Sequence, residues 1–255
     1  MPDASGAMAV IPARGGSKRL PYKNIRRFFG HPMLAYAIAA AQNSRLFSRV
    51  VVSSDDPLVG DIATWYGAEF LLRPAELASD TASLEGVALH VLDTLAAGSA
   101  RPETLCQLMP NCPLRRSQDI VRLYDLFRHG ERAFQISVVR YRGTYPHWAL
   151  VEDESGHGRL YFGEQYRIRS QELKHAFCAT GAIWWTRIAA FRRQCCFYGP
   201  PFHLVEMDAD RGLDIDDAEE LALAEVIARG LEARDGRSPL EPVSRSPFPG
   251  RVPDD

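Results

Sequence analysis

Residues 7–13 read AMAVIPA and residues 14–24 read RGGSKRLPYKN, so a short apolar run leads directly into a basic, glycine-containing loop. The apolar run is typical of a strand buried on both faces of a sheet. Gly15 and Gly16 permit a tight turn that presents backbone N–H groups to an anion, and the loop adds cations. Neither G-x-x-x-x-G-K-[ST] nor G-x-G-x-x-G fits this stretch. The basic, glycine-containing stretch therefore predicts a phosphate-binding loop that follows neither of these two motifs. A solvated basic loop without a ligand is the alternative.

Strand and helix patterns alternate over the first ~130 residues, as in βαβ units. This alternation predicts an α/β fold with three layers, α/β/α, around a mostly parallel sheet. The ligand site of such a sheet lies where loops leave the carboxyl ends of its strands. Further strands are predicted at 49–54, 69–72 and 104–109, and helices at 32–41, 57–66, 83–96 and 117–129.

The alternation is interrupted in the second half of the chain. Residues 141–177 carry mixed charge, aromatic residues and glycine without regular periodicity, which predicts a small insert suited to a dimer contact. We expect one domain over residues 7–230. Residues 231–255 hold five of the 17 prolines and almost no apolar run, which predicts a disordered tail. The remaining elements are strands at 135–141, 181–186 and 202–207 and a helix from 217 to 228 that Gly230 ends.

Composition and charge exclude several classes of protein. Apolar residues make up 46% and charged residues 24%, as in ordinary globular proteins, and the formal charge of -2 argues against a nucleic-acid partner. The longest apolar-rich stretch, residues 32–41, is about half a membrane span, and the basic stretch 14–27 precludes a signal peptide. Five cysteines form no C-x-x-C pair, which favours a reducing cytoplasm. We expect a cytoplasmic enzyme without a membrane partner.

The near-neutral charge conceals an asymmetry along the chain. No acidic residue lies between Asp3 and Asp55, whereas residues 206–220 hold eight acidic residues and one arginine, Arg211. This division suggests one site with an anion-binding wall and a cation-binding wall. Two solvated faces on opposite sides of the molecule remain the alternative.

Five ordered motifs carry a resemblance to a known family. The basic loop resembles the A-R-x-x-S-K-x-x-x-x-K-N signature of the cytidylyltransferases that activate acidic sugars. These are chiefly the acylneuraminate (sialic acid) cytidylyltransferases and relatives handling pseudaminic or legionaminic acid. The likeness covers about residues 7 to 228 and implies a nucleotide-diphospho-sugar transferase-like fold. Its other motifs are RPAELASDTAS at 73–83, PNCPLR at 110–115, AFCATGAI at 176–183 and LDIDD at 213–217.

The resemblance implies transfer of CMP from CTP to the anomeric hydroxyl of a 2-keto-3-deoxy nonulosonic acid, with release of pyrophosphate. By the same likeness, Arg14 and Lys23 contact the triphosphate and neutralise charge on the leaving group, as phosphoryl-type transfer requires. The nucleotide-binding residues implied are Arg14, Gly15, Gly16, Ser17, Lys18, Lys23, Asn24, Arg73, Ala82 and Ser83.

The resemblance also implies that Asp214 and Asp216 hold Mg²⁺. On a strand, these positions place both carboxylates on one face, with Ile215 directed into the core. Oxygen ligands of this kind suit Mg²⁺ bound jointly by carboxylates and substrate phosphates. An isolated D-x-D is more often a solvated strand end or helix cap, and Asp217, three residues before Glu220, is the better cap candidate.

The departures from the family pattern lie on the sugar side. Sialate-specific members carry Gln, Arg and Ser where this chain has Met109, Cys178 and Leu84. Gln107 is a candidate replacement for the first of these groups. Arg167 and Arg169 in the insert are candidates for binding the sugar carboxylate. The likeness further implies a homodimer in which each insert helps to close the sugar site of its partner.

Three other functions remain open at this point. A 3-deoxy-octulosonate cytidylyltransferase belongs to the same class. A metal-dependent glycosyltransferase also uses D-x-D on a similar sheet, although normally midway along the chain and without the basic loop. A non-catalytic nucleotide-binding protein would bind CTP and release no pyrophosphate.

Overall fold

The computed structural model describes residues 6–96, 102–250 and 252. Short polar or glycine-containing turns separate most of its helices and strands, as the alternation predicts. The strands are β1 (Ala7–Pro12), β2 (Arg27–Phe28), β3 (His31–Pro32), β4 (Arg49–Ser54), β5 (Glu69–Leu72), β6 (Thr104–Gln107), β7 (Phe134–Arg140), β8 (Leu150–Glu152), β9 (Gly158–Leu160), β10 (Phe177–Arg187) and β11 (Phe202–Glu206). The helices are α1 (Met33–Ser44), α2 (Pro57–Trp65), α3 (Leu84–Thr94), α4 (Ser117–His129), α5 (Ile188–Gln194) and α6 (Ala218–Asp235).

A seven-stranded sheet lies at the centre, in the order β11-β7-β10-β6-β1-β4-β5. Strand β10 is antiparallel to both neighbours, whereas the other neighbouring strands run parallel. Loops after the parallel strands β1, β4 and β6 therefore leave the sheet at one edge. This arrangement confirms the expected mostly parallel sheet.

Helices cover both faces of the sheet, which gives the three predicted layers. Apolar residues of α1, α2 and α4 pack in one core cluster, and residues of α3 and α5 pack in a second cluster on the other face. A third cluster joins α6 to Leu20, Leu114 and Ile215, which lie in loops at the carboxyl edge of the sheet. Helix α6 thereby fixes the positions of loops that line the site described below.

The insert predicted at 141–177 lies between β7 and β10. It consists of the small antiparallel hairpin β8–β9 and two short 3-10 turns. Several large apolar side chains in it are exposed, namely Trp148, Leu150, Tyr161, Phe162, Tyr166 and Ile168. Among the described residues, no helix is both long enough and apolar enough to cross a membrane.

The carboxyl-terminal region corrects two expectations. Helix α6 continues past Gly230 to Asp235 and ends at Gly236. Gly236 has a φ of 65°, a left-handed conformation that favours glycine because glycine has no Cβ. The following segment, expected to be disordered, packs on the domain: Leu240 and Val252 are buried. The side chain of the buried Glu241 accepts hydrogen bonds from Asn43 Nδ2 (2.8 Å) and from a backbone N–H of α4 (2.8 Å). A few well-placed side chains hold the segment although its composition lacks an apolar run.

Candidate active site

A cavity of about 240 Å³ lies at the carboxyl edge of the sheet, beyond β1. One wall belongs to the basic loop, which we define as residues 14–24, and the facing wall to the rim segment, defined as residues 75–83. Its floor includes Pro12 and Met109, which come at the ends of strands. Most predicted nucleotide-binding residues line this cavity: Arg14, Gly16, Ser17, Lys23, Asn24, Arg73 and Ala82.

The basic loop is held close to the strand that follows α1. Gly15 N–H donates to Asp55 Oδ1 (3.1 Å), and a Cβ on Gly15 would lie 2.7 Å from the Asp56 Cβ. Glycine is therefore required at this position by close packing. At the other end of the loop, Asn24 Nδ2 donates to the carbonyl of Arg14 (2.9 Å), which closes the loop on itself. These contacts set where the loop places its cations.

Two of those cations contact a carboxylate of the rim segment. Arg14 Nη1 lies 2.9 Å from Asp80 Oδ1, and Lys18 Nζ lies 2.6 Å from Asp80 Oδ2. The Asp80 carboxylate therefore bridges the two walls of the cavity. Hydrogen bonds from Lys18 and Arg14 lower the pKa of Asp80, so it is ionised at neutral pH.

The other end of the basic loop meets the aspartate loop, which we define as residues 213–217. Lys23 Nζ lies 2.6 Å from Asp216 Oδ1, and Arg19 Nη2 lies 2.6 Å from Asp216 Oδ2. Asn111 Nδ2 also donates to Asp216 Oδ1 (3.2 Å). Burial opposes ionisation of Asp216, but the hydrogen bonds and charges of Lys23 and Arg19 outweigh it and lower the pKa. The cationic and anionic stretches of the sequence thus converge on one site.

Asp214 lies deeper, beside β10. Its Oδ2 accepts the Gly181 N–H (3.0 Å), and its Oδ1 accepts the Cys112 thiol (2.6 Å). Burial raises the pKa of Asp214 above its usual value, although these two hydrogen bonds act in the opposite direction. A Cβ on Gly181 of β10 would lie 2.5 Å from the Met109 Cγ, so a larger residue at this position would force Met109 to shift.

The local structure of the aspartate loop differs from the expected strand. Residues 213–216 belong to no strand or helix and lie in the connection between β11 and α6. Ile215 is nevertheless fully buried between the two aspartates, as predicted. Asp217 caps α6 by accepting the Glu220 N–H (2.9 Å), which confirms its predicted role.

Two more nucleotide candidates are held by the fold. Arg73 is 6% exposed, and its guanidinium lies 3.8 Å from Asp55 with its Nε unpaired among the described residues. Ser83 uses its Oγ to accept the Gly86 N–H at the start of α3 (3.0 Å). Its Oγ therefore supports the start of the helix, and because Ala82 N–H donates to the Ser79 carbonyl (3.2 Å) and the Ser83 carbonyl accepts the Val87 N–H (3.3 Å), the Ala82 carbonyl and the Ser83 N–H are the backbone groups left for a ligand.

The three predicted sugar-binding residues do not meet in one chain. Gln107 is 1% exposed on β6, opposite Trp184 of β10, and neither end of its amide has a partner within the described residues. Arg167 pairs with Glu164 (2.7 Å) inside the insert, and Arg169 is exposed on the same insert. None of the three lines the cavity, whereas Met109 does.

Several residues at the site were missed from the sequence. Arg19 and Asn111 contact Asp216, Cys112 contacts Asp214, and Asp80 contacts the cations of the basic loop. Each of them lies inside or beside a motif that sequence reasoning had quoted. The motif spacing was the available signal, but it does not say which side chain pairs with which.

The donor set fits Mg²⁺ only together with a ligand from the substrate. In the described part of the chain, no group of three or more His, Cys, Asp or Glu side chains is arranged to hold a metal ion. Asp214 and Asp216 supply two carboxylates beside the cavity, although neither lines it, and a third of the Asp216 side chain is exposed. Magnesium is commonly bound by one or two carboxylates plus substrate phosphates, so the pair fits that type of site.

Comparison with known proteins places these features in a family. Residues 8–123 match the family model described as Cytidylyltransferase. The chain is 29% identical over 222 residues to the pseudaminic acid cytidylyltransferase of Campylobacter jejuni subsp. jejuni serotype O:2, covering 86% of this chain and 95% of that protein. It is 30% identical to the Campylobacter coli post-translational flagellin modification protein B, covering 91% and 99% of the two chains.

Two further comparisons agree with this placement. The N-acylneuraminate cytidylyltransferase of Escherichia coli O18:K1:H7 is 33% identical, over 85% of this chain and 51% of that protein. A solved CMP:2-keto-3-deoxy-manno-octonic acid synthetase, complexed with CTP, superposes with a TM-score of 0.64 at 20% identity, over 91% of this chain and all of the other. At that identity the structural likeness concerns the fold alone. The chain belongs to the cytidylyltransferase family that includes the pseudaminic acid and N-acylneuraminate enzymes.

Proposed function

We propose that this enzyme transfers the cytidylyl group of CTP to the anomeric hydroxyl of a sialic-acid-like nonulosonic acid and releases pyrophosphate. The relatives named above act on pseudaminic acid and N-acylneuraminate, and a Legionella pneumophila relative, 32% identical over 58% of this chain, is a CMP-N,N'-diacetyllegionaminic acid synthase. The observation that carries the proposal is the 2.6 Å contact between Lys23 and Asp216. This contact joins Lys23, a cation of the basic loop, to the acidic pair Asp214 and Asp216 at the carboxyl edge of the sheet.

In the proposed reaction, the anomeric oxygen forms a bond to the α-phosphorus while the bond from the α-phosphorus to the bridging oxygen breaks. The hydroxyl proton passes to solvent water, and the electron pair of the broken bond leaves with pyrophosphate. Reactions of this kind need positioning and charge neutralisation rather than a covalent intermediate. Arg14 and Lys23 lie at the two ends of the basic loop, so they are placed to contact a triphosphate at separate points. Their charge stabilises the leaving group in the transition state.

We further propose that Asp214 and Asp216 hold Mg²⁺ together with the phosphates of CTP. The bound ion would neutralise phosphate charge and orient the α-phosphorus. Because Asp216 now pairs with Lys23 and Arg19, binding of the magnesium–CTP complex would transfer both cations to phosphate oxygens. Asp216→Asn should raise the Mg²⁺ concentration needed for half-maximal activity by roughly tenfold or more. An unchanged magnesium titration would assign the metal to other groups.

A homodimer is part of the proposal, because the sugar candidates are separated within one chain. Two large apolar side chains of the insert are mostly exposed, Tyr161 at 63% and Leu150 at 67% of their surface. No other described part of the same chain covers them. Docking of this surface on a second copy would bring Arg167 and Arg169 to another chain. Sedimentation of the intact protein should give a dimer, and the variant Tyr161→Ser with Leu150→Ser should sediment as a monomer. A monomeric wild-type protein would remove the insert from the sugar site.

We place the reaction in the cytoplasm, where reduced thiols are expected. All five cysteines are free in the structure. Cys106 and Cys112 are fully buried, and burial raises the pKa of both thiols well above the usual value, which makes them unreactive.

The test of the proposed function is pyrophosphate release from CTP in the presence of a panel of nonulosonic and octulosonic acids. We expect turnover with at least one nonulosonic acid, and much slower turnover when UTP or ATP replaces CTP. Turnover with 3-deoxy-octulosonate alone would assign the eight-carbon substrate. Hydrolysis of UDP-sugars without use of CTP would indicate a glycosyltransferase, and CTP binding without pyrophosphate release under every acid would indicate a nucleotide-binding protein.

A further inference from the structure

The Asp80 carboxylate occupies the position that an anionic ligand of the basic loop would need. One of its oxygens contacts Arg14 and the other contacts Lys18, at 2.9 and 2.6 Å. Arg14 lines one wall of the cavity and Asp80 the other, and Lys18 belongs to the same basic loop as Arg14, so the carboxylate joins the basic loop to the rim segment. A phosphate group bound by both cations would have to displace it.

The fold itself does not require this carboxylate. The Asp80 side chain is 51% exposed, and exposed ion pairs contribute little to stability. The rim segment is held by other contacts: Ser79 Oγ donates to the Glu76 carbonyl (3.0 Å), Ala82 N–H donates to the Ser79 carbonyl (3.2 Å), and Ser83 begins α3. An acidic residue at the entrance of a phosphate site therefore calls for a role in binding.

We propose that Asp80 is an internal competitor for phosphate, which sets how strongly the site excludes small inorganic anions. A ligand must replace the carboxylate on both Arg14 and Lys18 before it is bound. A nucleoside triphosphate offsets this cost through contacts with its base and ribose, whereas free phosphate and pyrophosphate lack those contacts. The carboxylate therefore keeps small anions from filling the site at concentrations where the nucleotide still binds.

The same exchange acts on the product side. This step rests on the proposed function, because it concerns the pyrophosphate that the reaction would release. When pyrophosphate loosens, the tethered carboxylate returns to Arg14 and Lys18 and takes the place of the departing anion. Tethering gives it a high effective concentration that dissolved pyrophosphate does not have. Asp80 thus favours the release of pyrophosphate because it weakens the binding of pyrophosphate to Arg14 and Lys18.

The test compares Asp80→Asn, which keeps the shape of the side chain and removes its charge, with the wild-type protein. Calorimetric titration with sodium pyrophosphate, without CTP, sugar or metal, should give a Kd about three- to tenfold lower for the variant, a range set by the modest strength of exposed ion pairs. The difference should shrink in 0.5 M NaCl, about the condition at which such pairs are screened. Thermal unfolding of the two proteins should coincide.

Glu76→Gln is the matched control. It removes one negative charge from the same rim segment, and Glu76 forms no ion pair with any described residue. The control should leave the pyrophosphate Kd within about twofold of wild type, since a charge that touches neither cation acts only through screened solvent. A fall in Kd as large as that of Asp80→Asn would reduce the effect to net charge and overturn the proposal.

A second variant pair isolates the contacts. In a Lys18→Met background, Asp80→Asn should change the pyrophosphate Kd by less than it does in wild type, because one of the two displaced pairs is already absent. An unchanged Kd for Asp80→Asn in the wild-type background refutes the competitor role, and a higher Kd refutes it and indicates that Asp80 helps to bind the ligand. These titrations need no turnover, so their outcome stands apart from that of the pyrophosphate-release panel.

Discussion

Replacing Lys23 by methionine tests the step on which the proposed chemistry depends. Methionine keeps the length of the side chain and removes the ammonium group that lies 2.6 Å from Asp216 Oδ1. The Lys23 side chain is 16% exposed, so its charge acts where water screens it less than at the surface. Asp216 keeps two contacts in the variant, Arg19 at 2.6 Å and Asn111 at 3.2 Å. We therefore expect the fold to survive with a loss of about 1 kcal/mol or less.

The expected loss of activity is much larger than the loss of stability. Removing one preorganised donor that faces charge developing in a transition state costs about 10²–10³ in kcat, or ~2.7–4 kcal/mol. Lys18→Met makes the same chemical change on a side chain that is 81% exposed and that, within the described part of the chain, pairs only with Asp80. It should cost less than about tenfold, because solvent already screens that charge.

The assay is pyrophosphate release at saturating Mg²⁺, with kcat and KM for CTP measured separately and thermal unfolding recorded on the same samples. A transition-state role predicts that kcat falls while KM for CTP changes far less. If Lys23→Met retained kcat within about threefold of wild type while remaining folded, Lys23 would act in substrate binding or in structure and the reasoning above would fail.

Two further predictions concern the fold around the site. Glu241→Gln places an amide N–H₂ against either the Asn43 side-chain amide or the Ser117 N–H, both of which are donors. The substitution should therefore destabilise the protein by about 1–3 kcal/mol, measured as a lower Tm. An unchanged Tm would show that this residue does not hold the carboxyl-terminal segment. Burial, assisted by the charge of Arg27, lowers the pKa of His31 below 6.5 in the folded protein. The unfolded chain therefore binds the proton more readily than the folded protein. The contribution of neutral His31 to stability is fully present above about pH 6.5 and is lost as the pH falls toward the folded-state pKa. His31→Gln should lessen this decline in urea unfolding measured at pH 7 and pH 5, and an identical decline would exclude His31.

The alternation of strands and helices was predictable because its signals are local. Apolar runs, prolines at helix starts and the Asp56 cap of α2 act over a few residues, and the structure places these elements within a few positions of the expected ones. The order of the strands was not predictable in this way. The antiparallel β10 lies between β6 and β7, and its pairing joins residues far apart along the chain. Local patterns carry no information about such pairing.

The ends of elements gave the weakest predictions for a similar reason. Gly230 was expected to end the last helix, but one glycine inside an 18-residue helix costs only ~1 kcal/mol, which packing of α6 on the core offsets. The segment around Leu240 was expected to be disordered from its proline content. Its order depends on a few contacts with α1, α4 and α6, made by Leu240 in the third core cluster and by Glu241 with Asn43 and the Ser117 N–H, and composition carries no information about such contacts.

Sequence reasoning located both charged walls of the site but not how their charges are balanced. The absence of acidic residues between Asp3 and Asp55 and the acidic run at 206–220 indicated two opposite walls, and the structure joins them through Asp216. Asp80 lies inside the motif at 73–83, from which only Arg73, Ala82 and Ser83 were named as nucleotide-binding residues, so its pairing with the basic loop was missed. Pairing of side chains from separate motifs requires distances, which a single sequence does not contain.

The two carboxylates that neutralise the basic loop differ in burial, and this difference argues for different fates when substrate binds. Asp216 is two-thirds buried and tied to Asn111, so it cannot leave the site and must find a new cationic partner there. Asp80 is half exposed, so water can solvate it as soon as phosphate takes Arg14 and Lys18. Under the proposed function, a bound magnesium ion would supply the positive charge that Asp216 loses, whereas nothing would need to replace the charge around Asp80. The basic loop therefore binds one end of its ligand while Asp216 stays in the site, and binds the other end by displacing Asp80 from Arg14 and Lys18.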